Sequence, residues 1–516
     1  MLAGRKKFAL VTIMLLLVTT LLPGCGSPTK SDKSAENTAG KTMSADVVVV
    51  GSGATGLSAA IQASQLGCKV IMIEKNSMLG GTTNMAEGIA GLNDEYAKSQ
   101  GIPSYDLVEV LNKAEQYHHW KANPELLTKF YKNSADTISW LINLGVKFNI
   151  VQGMGYKTHH TYDGLGKQFV KTLADNAEKL GVQILPSTPG KELIMKDGKV
   201  AGIKATAKDG SALTINAPVV ILATGGYSCN AEMIKKYAKV NPKEVIYAGL
   251  PGSTNGDGIN MALAVGASDK KLTGILQYFG AFLDGDQYGT DLYKAMVQPM
   301  FRVNQDGNRF ISEAMNQQDP CMYGNAQEQQ KATYQIMTKA DLDRFNNQGA
   351  PCTLPYYQAN TPLPDLLNQI DKISKMNKGN IFEANSIDEL ADKIKVDKTN
   401  LKAAIDRYNG YCKTGKDLEF GKDAQFLIPV GDGPYYAFKV DCGYFCTNDG
   451  LEVTPQAQVL DKNGKIIPGL YAGGNDTGGW CGDTYDIALI PGTTQSWAVN
   501  SGRFAAEDAA RYLNKK

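Results

Sequence analysis

At 516 residues the chain is too long for one simple hydrophobic core, which predicts two or three structural units. Its 53 basic and 52 acidic residues are interspersed and leave a net charge of +1, which excludes the basic footprint of a nucleic-acid binder. The 54 glycines lie scattered among strand and helix patterns, which excludes low complexity and suits an α/β enzyme with many tight turns.

The chain opens with Arg5-Lys6-Lys7, an apolar run from Phe8 to Leu22, and then Pro23-Gly24-Cys25. This pattern reads as a secretory signal and resembles that of a bacterial lipoprotein, in which Cys25 carries the lipid; the alternative is an uncleaved membrane anchor. Residues 26–43, rich in Ser, Thr, Lys and Gly, then predict a flexible tether holding the protein at the extracytoplasmic face of the cell membrane.

At residues 46–56 the apolar strand Asp46-Val47-Val48-Val49-Val50 runs into Gly51-Ser52-Gly53-Ala54-Thr55-Gly56 and a helix over 57–66. Gly51 permits the tight turn, Gly53 admits a pyrophosphate, and Gly56 lets the helix pack close to the strand with its first amides, around Ala54 and Thr55, facing the anion. A second strand ends at Glu74-Lys75, where the acid can hold a ribose hydroxyl. The turn Gly80-Gly81-Thr82-Thr83 adds two hydroxyls.

Helices are expected at 104–118, at 124–144 after the cap Asn123-Pro124, and at 164–180, where Phe169, Leu173, Ala177 and Leu180 share a face. A strand at 182–185 and a hairpin of 191–196 with 199–207 follow. The buried strand ending Ala223-Thr224-Gly225-Gly226 should pass beneath the cofactor, and Asn255-Gly256-Asp257-Gly258 leads a helix at 259–266 toward the phosphates. From 275 to 446 the pattern turns aromatic and less regular, with helices from Ser386 (a capping box with Glu389) and near 398–412; this reads as a separate cap. The chain returns through Gly469-Leu470-Tyr471-Ala472-Gly473-Gly474-Asn475 to a last helix at 493–512. The expected divisions are 1–25 (signal), 26–43 (tether), 44–274 and 447–516 (the two parts of a dinucleotide-binding domain) and 275–446 (cap and substrate domain).

Beyond Cys25 there are eight cysteines and no Cys-x-x-Cys. Cys442, Cys446 and Cys481 can be read as metal or cluster ligands, but free thiols are the preferred reading, no metal is expected, and thiols in an exported protein suggest an anaerobic habitat.

Together the opening fingerprint, Gly80-Gly81-Thr82-Thr83, Ala223-Thr224-Gly225-Gly226-Tyr227, Gly256-Asp257-Gly258, Asp306-Gly307-Asn308-Arg309-Phe310-Ile311-Ser312-Glu313, Gly433-Pro434-Tyr435 and Pro468-Gly469-Leu470-Tyr471-Ala472-Gly473-Gly474 resemble the flavoprotein family of soluble fumarate reductases, flavocytochrome c and 3-ketosteroid dehydrogenases. The resemblance covers residues 44–516. It implies an α/β, Rossmann-like FAD-binding domain split in sequence, an inserted α+β cap, and FAD held by Gly51, Gly53, Ala54, Thr55, Gly56, Glu74, Lys75, Gly81, Thr82, Thr83, Ala223, Thr224, Gly225, Asp257, Gly474 and Asn475. It also implies hydride transfer at a carbon–carbon double bond.

Where fumarate reductases place a proton-donating arginine, this chain has Gln317; Cys446 and Tyr485 stand where a substrate histidine and a carboxylate-binding arginine are expected. Carboxylate oxygens would be left poorly paired, so fumarate is a poor candidate. The resemblance then points to the ketosteroid branch and an apolar enone. Tyr485 and the Gly492 amide hold the ketone oxygen, although extra residues separate them here. Tyr278 is the first candidate proton donor and Tyr485 the second. Arg309 with Glu313 is either a substrate ligand or a structural ion pair, and one of His159 and His160 either touches the flavin or both belong to a polar loop. Two alternatives stand beside the enone: an unsaturated carboxylate anchored by Arg302 or Arg309, and a non-catalytic electron-transfer flavoprotein. Electrons are exchanged with a separate partner at the cell envelope.

Overall fold

The computed structural model describes residues 40–354, 357–376 and 379–515. The signal segment, Cys25 and most of the tether lie outside them. Among the described residues no helix is long and apolar enough to cross a membrane.

The molecule is built on a six-stranded sheet ordered Gln458–Leu460, Ile466–Ala472, Val219–Leu222, Val47–Val50, Val70–Ile73, Gln183–Leu185. All neighbours are parallel except the first pair. Four consecutive valines without polar alternation fit only a strand covered on both faces, and Val47, Val48 and Val49 are fully buried. Strands from the two ends of the chain are direct neighbours here: Val220 pairs with Leu470 on one side, and Val219 with Val47 on the other. The fold is thus a Rossmann-like domain split in sequence.

The first helix runs Ala54–Gln65, starting earlier than the pattern suggested because the turn is complete at Gly53, its N-cap. Behind it lies the Thr493–Tyr512 helix. A Cβ on Gly502 would stand 2.3 Å from the Thr55 carbonyl oxygen, so glycine is what lets the two backbones approach. Lys41–Ser44, in part expected in the tether, is instead a strand paired parallel to Ala212–Asn216. It edges a sheet that includes the Gly190–Lys196/Lys199–Thr206 hairpin.

The region expected to be less regular contains two sheets, the first of them joined by a short strand from before it. One joins Ile246–Tyr247, Asp441–Thr447 and Leu276–Phe282; the other joins Arg302–Asn304, Thr333–Thr338, Tyr435–Lys439 and Ile381–Ala384 in antiparallel register. Their strands are short and mix aromatic, small and charged residues, so the period-two signal is weak. Helices Ile387–Ile394 and Lys398–Thr414 share an apolar core with the second sheet. Ser386 accepts from the Glu389 amide at 3.2 Å, while the Glu389 carboxylate accepts from the Asn385 amide, so the capping box is half made.

Candidate active site

A cleft of about 790 Å³ opens where the parallel strands end and runs on beneath the cap. At its floor Gly51 has φ +108°, and a Cβ there would meet the Ala223 carbonyl oxygen at 2.2 Å. A Cβ on Gly56 would lie 1.9 Å from the Gly51 carbonyl oxygen. Gly56 therefore sets the spacing of helix and strand without itself lining the cleft. Glu74 is buried and accepts from the Ser52 amide at 3.0 Å, the Ser52 hydroxyl at 2.7 Å and the Asn76 amide at 2.8 Å. Ser52 accepts in turn from the Gly80 amide, and Thr83 from the Ala54 amide. Lys75 pairs with Asp257 at 2.8 Å.

On the other side Asp476 accepts from the Thr224 amide at 2.5 Å and the Gly226 amide at 2.9 Å, while Thr224 accepts from the Gly258 amide at 2.9 Å. Burial pushes Asp476 up to about 6. Gly81, Thr82, Gly225 and Asn475 also face the cleft, whereas Gly474 packs behind it with its amide on Ser501. The Asn475 side-chain oxygen is buried and has no hydrogen-bond partner. A turn at Gly51 that admits no Cβ, a helix N-terminus and an unmatched buried acceptor together fit a dinucleotide carrying both anionic and donor groups. The Ala54 turn would hold its phosphates and Glu74 its ribose.

At the far end the walls are aromatic: Phe279, Tyr288, Tyr293 and Phe445. The Tyr485 hydroxyl accepts from the Gly492 amide at 3.1 Å, so the extra residues between them do not part the two groups. Gly492 has φ +91°, and a Cβ would lie 2.6 Å from the Ala90 nitrogen. It caps the Thr493–Tyr512 helix, whose dipole adds positive potential at this amide. Burial and the neighbouring Asp486 push the Tyr485 phenol well above its ordinary value. Buried Asp486 steadies this loop, taking hydrogen bonds from Thr493 and from Tyr131 (3.3 Å), with His118 Nε2 at 3.6 Å.

Two candidate catalytic residues lie elsewhere. Tyr278 does not line the cleft: strand alternation turns its neighbours Gln277 and Phe279 inward and packs Tyr278 against the main core. Arg309 is buried in the cap, bonded to Glu313 (2.9 Å) and Asp417 (2.9 Å) and flanked by the rings of Tyr408 and Phe420. Arg302 is likewise enclosed, on Gln335 and the carbonyl of Gln298. No arginine lines the cleft among the described residues; its lysines are Lys75 and Lys191.

Gln317 and Cys446 do face it. Burial raises the Cys446 thiol to about 12, and the thiol donates to Gln277 at 2.8 Å. His159 lines the cleft, with burial lowering it to about 4, while His160 is internal and bonded to Asp94 at 3.0 Å. The residue pattern did not single out Ser52, Asp476, Gln277 or Glu87. Asp476 was within reach, since it directly follows Gly473-Gly474-Asn475, but nothing local marks Glu87.

A dinucleotide cradle that opens onto an enclosed aromatic chamber is the architecture of a redox enzyme. The sequence profile of the FAD binding domain family matches residues 46–487, and the chain belongs to that family. It is 34% identical over 492 residues to the vinyl phenol reductase of Lactiplantibacillus plantarum, covering 93% of this chain and 99% of that one. The open conformation of a flavocytochrome c3 fumarate reductase superposes with a TM-score of 0.69 at 27% identity, over 92% of this chain and 79% of that one. The 3-ketosteroid delta1-dehydrogenase from Sterolibacterium denitrificans, at 22% identity, shares the fold with a TM-score of 0.74 over 91% and 99%. The protein is an FAD-dependent oxidoreductase acting on the carbon–carbon double bonds of unsaturated compounds.

Proposed function

We propose that the protein reduces, or in reverse forms, a carbon–carbon double bond conjugated to a neutral oxygen function: a ketone, as in a 3-oxo steroid, or the hydroxyl of a para-hydroxyaryl alkene such as vinyl phenol. The reading rests on the Tyr485 hydroxyl and Gly492 amide, 3.1 Å apart, in a cleft lined by no arginine among the described residues. Bound FAD supplies the hydride. Addition of hydride β to a ketone leaves negative charge on its oxygen. A vinyl phenol protonated at its outer carbon while it loses its hydroxyl proton becomes a quinone methide, itself a conjugated ketone, and hydride addition again charges the oxygen. Both substrates therefore ask for the same thing, a fixed donor at that oxygen, and the Tyr485 hydroxyl supplies it while the Gly492 amide holds the hydroxyl in place by donating to it. The aromatic walls exclude water and match a flat apolar body. A carboxylate asks instead for cations, and Arg302 and Arg309 are committed inside the cap.

Electrons come from a separate donor at the cell envelope, where lipid on Cys25 holds the protein at the extracytoplasmic face. The test is anaerobic reoxidation of the reduced holoenzyme by 4-vinylphenol, a 3-oxo-Δ4 steroid, cinnamate, urocanate and fumarate, followed by flavin absorbance. Fast reoxidation by either of the first two is expected; reoxidation by carboxylates alone overturns the reading.

A further inference from the structure

Reduction of a double bond needs a proton on carbon as well as a hydride, and the displacement of Tyr278 leaves that role open. The ionisable side chains lining the cleft are few. Glu74 is engaged by Ser52 and Asn76, Asp257 pairs with Lys75, and Tyr485 stands at the oxygen-holding end. His159, held near 4, carries no acidic proton at neutral pH, and the Cys446 thiol donates to Gln277. Glu87 remains. It is half-buried, lines the cleft, and its Oε1 accepts from the Tyr288 hydroxyl at 2.5 Å.

Resting on the ketone-or-phenol reading above, we propose that Glu87 delivers the proton to carbon and that Tyr288 positions it. Tyr288 belongs to the cap and Glu87 to the approach to the Gly88–Ala90 strand, so their bond joins the two walls of the chamber. The same strand meets the oxygen site at its other end, where the Ala90 amide donates to the Gly492 carbonyl at 3.0 Å. At strand rise the backbones of Glu87 and Ala90 are roughly 10 Å apart, a separation that suits the long axis of a hydroxystyrene. Burial raises the Glu87 carboxyl, which favours its holding a proton. In the step the Oε2–H bond breaks and a C–H bond forms. With a hydroxyaryl alkene the phenolic proton passes to solvent water, water reprotonates Glu87, and the hydride pair comes from the flavin reduced by the envelope donor.

The oxidised holoenzyme in D₂O with 4-vinylphenol tests this without redox turnover, because reversible protonation places deuterium on the outer vinyl carbon, read by NMR. Reoxidation of the reduced holoenzyme by 4-vinylphenol or a 3-oxo-Δ4 steroid is the second readout. Glu87→Gln should lower exchange and reoxidation about a hundredfold, with the affinity for 4-ethylphenol kept within about twofold. Glu87→Asp should recover part of the rate. Wild-type rates in Glu87→Gln overturn the assignment, and if Tyr485→Phe is slow in the same series the oxygen site survives. An unaffected Tyr485→Phe sinks the oxygen site instead. A wild-type protein that shows neither exchange nor reoxidation with these probes overturns both.

Discussion

Replacing Arg309 by Met separates a structural arginine from one that binds substrate. The guanidinium bonds Glu313 and Asp417, reaches Glu419 at 3.3 Å, and lies against Tyr408 and Phe420 at about 5 Å. Buried Lys422, 3.1 Å from Glu313, is the other buried cation of the cluster, and exposed Arg407 reaches Glu419 at 3.3 Å. Without Arg309 the buried Glu313 keeps only Lys422 and the buried Asp417 loses its cation, a loss of about 3–5 kcal/mol by the usual cost of breaking a buried pair. Burial pushes Asp417 up, but its bonds to Arg309 and to backbone amides outweigh this and hold it at about 2. A depressed acid contributes its full stability above the unfolded value, about 4, and loses it as the pH falls through about 2. Urea unfolding of the holoenzyme at pH 7 should show the loss, and the variant's stability should vary less between pH 4 and pH 2. Substrate KM, measured on the fraction that binds FAD, should stay within about twofold. An unchanged unfolding midpoint together with a KM raised about tenfold would refute the structural assignment and put Arg309 in contact with substrate.

Tyr485→Phe should lower the rate of flavin reoxidation by about 10²–10³ with little change in substrate affinity, as for loss of one oxyanion donor; stopped-flow absorbance reads it, and a wild-type rate would exclude the pair. Gly56→Ala should yield protein without FAD, since its Cβ would fall 1.9 Å from the Gly51 oxygen; a stoichiometric flavin spectrum after purification would contradict this. Asp476 sits near 6 when folded, above its unfolded value, so its contribution to stability is present below pH 4 and is lost as the pH rises through about 6. Asp476→Asn should flatten that part of the urea-stability profile of the FAD-free protein, and a slope identical to wild type would show that another group is responsible.

The cofactor end was legible in the sequence because its requirements are local. A pyrophosphate needs a tight turn, free backbone amides and a helix packed close behind them within a few residues, and Gly51, Gly53 and Gly56 record these in order. The Thr493–Tyr512 helix was located to the residue by its pattern. The substrate end was not legible in the same way. Tyr278 and Gln277 are equally good candidates in a string of letters, and only the strand's alternation decides which enters the cleft. Arg309 reads alike as ligand or scaffold until Asp417 and Glu419, distant in sequence, are seen to close around it. Glu87 acquires its place from Tyr288, a residue of the other wall. Tyr485 and Gly492 came through the family resemblance, and their 3.1 Å approach depends on how an inserted loop folds back.

The position of the Ile466–Ala472 strand and the Thr493–Tyr512 helix has a consequence for the order of events during synthesis. The strand flanks Val219–Leu222, and the helix backs Ala54–Gln65, which the ribosome makes at the opposite end of the described chain. Until the last turns emerge, the nascent chain has its glycine turn but not the wall that presses on it, and one sheet edge stands open. The cradle is therefore complete only once the Thr493–Tyr512 helix is packed, and the interval before these distant segments meet is when aggregation competes most strongly with assembly.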